Sequence, residues 1–128
     1  MRQISVVLVG LGRMGTRFLD KFSEVGSDKI KILAVCELDE NNPKVAEAKE
    51  RQIAYFSSYA EAIDTFGEDI DIILDTTNVP KVKQTIRKAL ADQNNQHTVL
   101  VPMVVDYLMW YLLPGDEPFP QDHVSIGY

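Results

Sequence analysis

Through residues 1–101, short apolar runs alternate with longer stretches in which apolar residues return every three or four positions. The runs are Ile4–Val9, Ile30–Val35, Ile53–Phe56, Ile70–Leu74 and Thr98–Val101, rich in valine and isoleucine. A short, nearly continuous apolar run is how a strand covered on both faces reads. From Arg13 onward, Met14, Phe18, Leu19, Phe22 and Val25 recur at helical spacing, and Gly26 closes the helix. Asn42-Pro43 starts a second helix, with Asn42 as N-cap and Pro43 at the first helical position. Its face, Val45, Ala46 and Ala48, is weak in large apolar residues and predicts a peripheral helix. Ser58-Tyr59-Ala60-Glu61 is a capping box before Tyr59, Ala62, Ile63 and Phe66, and Gly67 ends that helix. The turn from Asp75 to Pro80 opens a fourth helix with Val82, Ile86, Ala89 and Leu90 on one side.

Strands that alternate with helices predict an α/β fold, a doubly wound parallel sheet between helical layers. The right-handed crossover rule leaves 3-2-1-4-5 as the natural strand order, with His123–Tyr128 a candidate sixth strand. The first strand then delivers the chain to the centre of the sheet's C-terminal edge, where Gly10-x-Gly12-x-x-Gly15 stands. In that setting Gly10 permits the tight turn, Gly12 lets a diphosphate approach the backbone, and Gly15 lets helix and strand pack closely. The helix N-terminus offers free amides and a dipole that favours negative charge. The competing reading is a glycine-rich turn with no ligand. The strand before the motif and the helix after it favour a dinucleotide.

Glu37 ends the second strand, 22 residues after Gly15. A carboxylate there accepts the ribose hydroxyls of an adenosine and repels a 2′-phosphate, which favours NAD over NADP. Asp39 is a rival for the role, and Arg13 beside the turn is the counter-argument, since an arginine can meet a 2′-phosphate. Thr76, Thr77 and Asn78 follow the fourth strand, across the switch point from the glycines. They either line the nucleotide cleft or cap the next helix.

A net charge of −6 argues against nucleic acid and acidic membranes as partners. No apolar run is long enough for a bilayer span, and the N-terminal run is too short for a signal peptide. The one cysteine, Cys36, excludes an internal disulfide and fits a reducing, cytoplasmic setting; at an apolar strand end it reads as a buried, inert thiol. His97 and His123 show no metal spacing with it, so no metal is expected. The composition shifts after Pro102, which divides the chain into residues 1–102, the nucleotide-binding part, and residues 103–128, a C-terminal helix and tail of the same domain. Met103–Leu113, MVVDYLMWYLL, has Asp106 as its lone charge and reads as a helix buried on most faces, in the core or in a homo-oligomer interface carried by Tyr107, Trp110 and Tyr111.

VVLVGLGRMGTRFL, ILAVCELD, YFSSYAEAI and DIDIILDTTNVP, in this order, resemble the N-terminal domain of an oxidoreductase superfamily that includes glucose–fructose oxidoreductase and inositol dehydrogenase. Homoserine dehydrogenase, aspartate dehydrogenase and dihydrodipicolinate reductase have related domains. The resemblance covers Gln3 to about Val101. It implies a Rossmann domain that binds NAD(P) through the turn Gly10, Leu11, Gly12, Arg13, Met14 and Gly15, with Glu37 on the adenine ribose and Thr76, Thr77 and Asn78 beside the cofactor. The sugar-dehydrogenase branch carries a Glu-Lys-Pro turn after its fifth strand. Here that place reads Val101-Pro102-Met103, and no lysine follows Lys88, so the resemblance implies no catalytic residue. The expected function is hydride transfer with the substrate domain lacking. The alternative is a non-catalytic dinucleotide sensor, since regulatory domains of potassium transport systems share a similar turn and strand-end acid.

Overall fold

A computed structural model describes residues 2–113. Five strands, β1 (Ile4–Val9), β2 (Ile30–Cys36), β3 (Ala54–Phe56), β4 (Ile72–Asp75) and β5 (Val99–Leu100), form one parallel sheet in the order β3-β2-β1-β4-β5. This is the doubly wound Rossmann-like arrangement that the alternation predicts. The candidate sixth strand and His123 lie outside the described residues.

Successive residues of β1 point to opposite faces and so build two cores. Val6 and Leu8 join α1 (Arg13–Val25) through Met14, Phe18, Leu19 and Phe22, α2 (Pro43–Glu50) through Val45 and Ala48, and α5 (Met103–Leu112) through Trp110. Val7 and Val9 join α3 (Tyr59–Phe66) through Ala62 and Ile63, and α4 (Pro80–Asp92) through Ile86 and Leu90. Among the described residues no helix is long and apolar enough to cross a membrane.

The predicted helix ends are built as expected. Asn42 Oδ1 accepts from Lys44 N at 2.9 Å, and Ser58 Oγ accepts from Glu61 N at 3.4 Å. Gly26 and Gly67 take positive φ after α1 and α3. β4 starts two residues later than the apolar run suggests. Ile70 is fully buried, but its N–H bonds Gly67 O at the end of a 3₁₀ turn over Gly67–Asp69, so it precedes the ladder.

α5 corrects an expectation. It is not buried on most faces. Met103, Asp106 and Trp110 face inward, while Val104, Leu108, Tyr111 and Leu112 are exposed. The lone acid is therefore on the buried side, and Trp110 packs within its own chain, with the Arg17 guanidinium 5.3 Å from its ring centre.

Candidate functional site at the sheet's C-terminal edge

Register assembles the site. Val9 lies opposite Cys36 on one side and Asp75 on the other. The next residue of each chain segment, Gly10, Glu37 and Thr76, therefore emerges at one edge, side by side.

Gly10 turns with φ +93, a left-handed conformation natural to glycine. Its N–H bonds Cys36 O at 2.8 Å, and the Thr76 hydroxyl lies 3.0 Å from Val9 O and 3.1 Å from Gly10 O. Thr76 is buried and clamps the turn. Gly15 packs against the same turn: a Cβ there would stand 1.9 Å from Gly10 O. Gly12 differs from both. Its φ and ψ are −76 and −157, and a Cβ would meet nothing within 4 Å. The fold itself does not require glycine at that position.

Gly12 is the N-cap of α1, so no side chain caps the helix, and its first turn holds no acid. The amides of Arg13, Met14 and Gly15 have no intrahelical acceptor by position. The Met14 side chain is fully buried, so only its N–H belongs to the edge, while Arg13 is exposed. Leu11 is also buried, and its N–H is already taken by Glu37 Oε1 at 2.9 Å. Leu11 thus anchors the acid.

Glu37 is held from three directions. Oε1 accepts from Leu11 N, Oε2 accepts from Asp39 N at 2.9 Å, and the Tyr55 hydroxyl donates to Glu37 O at 2.7 Å. Asp39 is used locally, its Oδ1 accepting from Asn41 N. Asn42, the cap of α2, donates from Nδ2 to Leu11 O at 3.0 Å and ties that helix to the turn. Tyr55 and Asn42 are supports that the sequence alone did not single out. A cleft between Gly10, Glu37, Tyr59 and Thr77 opens on this side. Cys36 lies at its base, and burial pushes its thiol up to about 12, which makes it inert at neutral pH.

Thr77 lines that cleft, but it does not cap α4, whose N-cap is Val79 with no side-chain cap bond. Its hydroxyl donates to Asp75 Oδ1 at 2.7 Å and accepts from Val79 N at 3.3 Å. Asn78 stands at φ +56 with its Oδ1 buried and without a hydrogen-bond partner. Behind this loop is a charge cluster that pattern reading missed. Lys83, on the buried side of α4, places Nζ 3.4 Å from Asp75 Oδ2 and 3.1 Å from Val101 O. Asp106 of α5 is fully buried, and neither of its oxygens has a partner. Burial, with the Asp75 charge adding and the Lys83 charge opposing, raises its carboxyl to about 8. His97 sits away from the site, with Nε2 2.6 Å from Asp71 Oδ1. The hydrogen bond from Ser5 N, then that of His97, lowers the Asp71 carboxyl. Among the described residues no group of histidines, cysteines and acids is arranged to hold a metal.

No family model and no curated protein matches the chain. Solved structures do. The WlbA dehydrogenase from Bordetella pertussis, in complex with NADH and UDP-GlcNAcA, aligns with a TM-score of 0.59 at 21% identity, over 78% of this chain and 28% of its own. Myo-inositol 2-dehydrogenase from Lactobacillus plantarum aligns at 0.56 and 21%, over 87% of this chain and 33% of its own. S. aureus homoserine dehydrogenase aligns at 0.58 and 15%, over 85% of this chain and 29% of its own. The chain spans about a third of the length of each or less. At these identities the likeness establishes the fold: the chain has the Rossmann-like α/β fold that these dehydrogenases share.

Proposed function

We propose that the chain binds a nicotinamide dinucleotide across this edge, NAD in preference to NADP, as the nucleotide-binding part of a cytoplasmic hydride-transferring oxidoreductase. Gly12 carries the reading. Gly10 and Gly15 are explained by backbone conformation and packing, whereas Gly12 is explained by neither. A glycine kept where the fold tolerates a side chain, beside uncapped helix amides, fits an anion that approaches the backbone. The bound dinucleotide would supply the hydride chemistry. This chain's residues would bind and orient it: the amides of Gly12 to Gly15 toward the diphosphate, Glu37 toward the adenosine ribose, Thr77 and Asn78 toward the other half. The NADH-bound WlbA structure supports the choice of ligand.

Thermal unfolding with added NADH tests the reading. At 100 times the dissociation constant, a bound ligand adds about 2.7 kcal/mol, a rise of roughly 8–10 °C for a chain of this size. Gly12→Ala is expected to leave the unliganded melting temperature within about 2 °C, because the methyl meets no protein atom. It should abolish the NADH-induced rise. A full rise in Gly12→Ala would remove the diphosphate from this turn.

Glu37 decides the cofactor. Its two backbone donors hold the carboxylate at the end of β2, and in this reading it faces the adenosine ribose and repels a 2′-phosphate. Calorimetry with Glu37→Gln should narrow the preference for NADH over NADPH by about tenfold. Equal losses for the two cofactors would take Glu37 off the ribose.

The exposed stripe of Val104, Leu108, Tyr111 and Leu112 on α5 supports self-association as a homo-oligomer. Leu108→Glu should then sediment as a smaller species than the parent, and identical sedimentation would dismiss that assembly.

A further inference from the structure

Asp75 closes β4, fully buried, where the chain enters the Thr76–Asn78 loop. A carboxylate in that place is costly, since parallel strands covered on both faces are apolar and a buried charge needs compensation. Its two oxygens are used differently. Oδ1 accepts twice from one residue, from Thr77 N at 2.9 Å and from the Thr77 hydroxyl at 2.7 Å. Oδ2 accepts no hydrogen bond and faces the Lys83 ammonium at 3.4 Å. Lys83, itself buried, donates to Val101 O at 3.1 Å, just past β5. The carboxylate is thus fixed from both sides, its charge met from α4 and its other oxygen closed on Thr77.

Thr77 is left with one orientation. Its single hydroxyl proton is committed to Asp75, and Val79 N donates to the same hydroxyl oxygen at 3.3 Å. The methyl then lies toward the glycine turn: Thr77 Cγ2 stands 3.0 Å from where a Cβ on Gly10 would be. Thr77 lines the cleft between Gly10 and Glu37 together with Val9, Cys36 and Val82. It therefore brings to that wall a methyl, and no proton to donate. A threonine carries both groups on Cβ, so a turn of χ1 by one well would exchange them. Asp75 decides which of the two faces the turn. The Thr76 hydroxyl is likewise turned inward, onto Val9 O and Gly10 O.

We propose that Asp75 is a positioning residue of the dinucleotide site: its carboxylate holds the Thr77 hydroxyl inward, so that the Thr77 methyl, and not the hydroxyl, meets the cofactor beside the glycine turn. Lys83 is the counter-ion that keeps the carboxylate in place. The loop offers the cofactor an apolar contact, although Thr76-Thr77-Asn78 is polar throughout. The role rests on the dinucleotide reading of this edge; the orientation of Thr77 does not.

Two measurements test it. In the protein without dinucleotide, three-bond NMR couplings to the Thr77 methyl carbon read χ1 directly. They should report one rotamer in the parent and averaging in Asp75→Leu/Lys83→Met, a paired change that leaves neither charge buried alone. Asp75→Asn/Lys83→Met returns an acceptor without a charge and should restore the single rotamer. Calorimetry with NADH then reads the consequence. The first pair should weaken binding about tenfold, and the second should recover most of that loss. Thr77→Ser keeps the bonds to Asp75 and loses the methyl, so it should bind about fourfold more weakly. Thr77→Val keeps a methyl toward the turn and should stay within about twofold of the parent. These two variants carry the test should either pair fail to fold. The proposal is overturned if Thr77→Ser binds as the parent does while Thr77→Val loses affinity, because the hydroxyl is then the contact. It is also overturned if the first pair keeps the parent's rotamer or its affinity. A parent that binds no NADH, with a Thr77 rotamer that still follows Asp75, would sink the dinucleotide reading and uphold the orientation. NADH binding with a rotamer indifferent to Asp75 would do the reverse.

Discussion

Gly15→Ala is expected to destabilise the fold severely, by about 3 kcal/mol or more, and to eliminate dinucleotide binding. Elsewhere in a helix the same change gains up to about 1 kcal/mol, because alanine has the higher propensity. Here the added Cβ would lie 1.9 Å from Gly10 O, 2.9 Å from Gly10 C and 2.8 Å from the Thr76 hydroxyl. Two of those atoms are backbone and cannot rotate away. Overpacked cores lose about 1–3 kcal/mol when side chains yield, and a clash with a turn that itself holds β1, β2 and β4 should reach about 3 kcal/mol or more. That is a large share of the roughly 5–15 kcal/mol that holds a small domain together. Chemical denaturation measures it. A midpoint equal to the parent's would mean that α1 does not pack on the turn as described. The contrast with Gly12→Ala matters most, since one methyl three residues away is expected to leave the fold untouched.

Asp106→Asn is expected to stabilise the protein, by an amount that grows as the pH rises from about 4 to about 8. The Asp106 carboxyl keeps its proton in the fold up to about pH 8, whereas the unfolded chain releases it near the ordinary 3.8. Between those values unfolding sheds a proton, so the fold loses stability as pH rises, by about 1.4 kcal/mol per unit. Below about pH 4 both states are protonated, and above about pH 8 both are ionised, so the slope vanishes at either end. Asparagine removes the titration. The gain should be absent near pH 4 and reach roughly 4 kcal/mol at pH 7, since the amide lacks partners as the protonated acid does. Denaturation of parent and variant across this range reads it directly. Parallel profiles would show that Asp106 ionises inside the fold at an ordinary pH, and that α5 does not bury it.

The same residue explains what the chain's pattern conveyed and what it hid. Five apolar runs and four amphipathic stretches were enough for the strand order, because buried parallel strands must be apolar throughout and the connections allow few topologies. Helix ends were legible where capping chemistry is local, at Asn42, Ser58, Gly26 and Gly67. The glycine turn was legible because its spacing is a backbone requirement. α5 was not. A segment apolar nearly all round has no periodicity to fix its inner face, so the inward stripe Met103, Asp106, Trp110 could not be chosen over the outward one. On α4, Lys83 occupies the same kind of place, in register with Ile86 and Leu90. Pattern reading sends charges outward by rule. A signal did exist: Lys83 stands at stripe spacing from the buried Ile86 and Leu90, and Asp75 ends an apolar strand, so a base and an acid are both sent into the interior, where they pair. The supports of Glu37 were hidden for a different reason. Tyr55 and Asn42 act from 18 residues after and 31 residues past their partners Glu37 and Leu11, a proximity that only the folded sheet creates.

The most direct test of the account is amide NMR of the ¹⁵N-labelled chain during titration with NADH. The predicted result is saturable shifts in Gly12, Arg13, Met14 and Gly15, with Glu37 and Thr77 following on the two flanks, and no such response in Gly12→Ala. If millimolar NADH leaves the Gly12–Gly15 amides in place while those of other segments move, or if none moves at all, the glycine turn does not hold a diphosphate and the account is wrong.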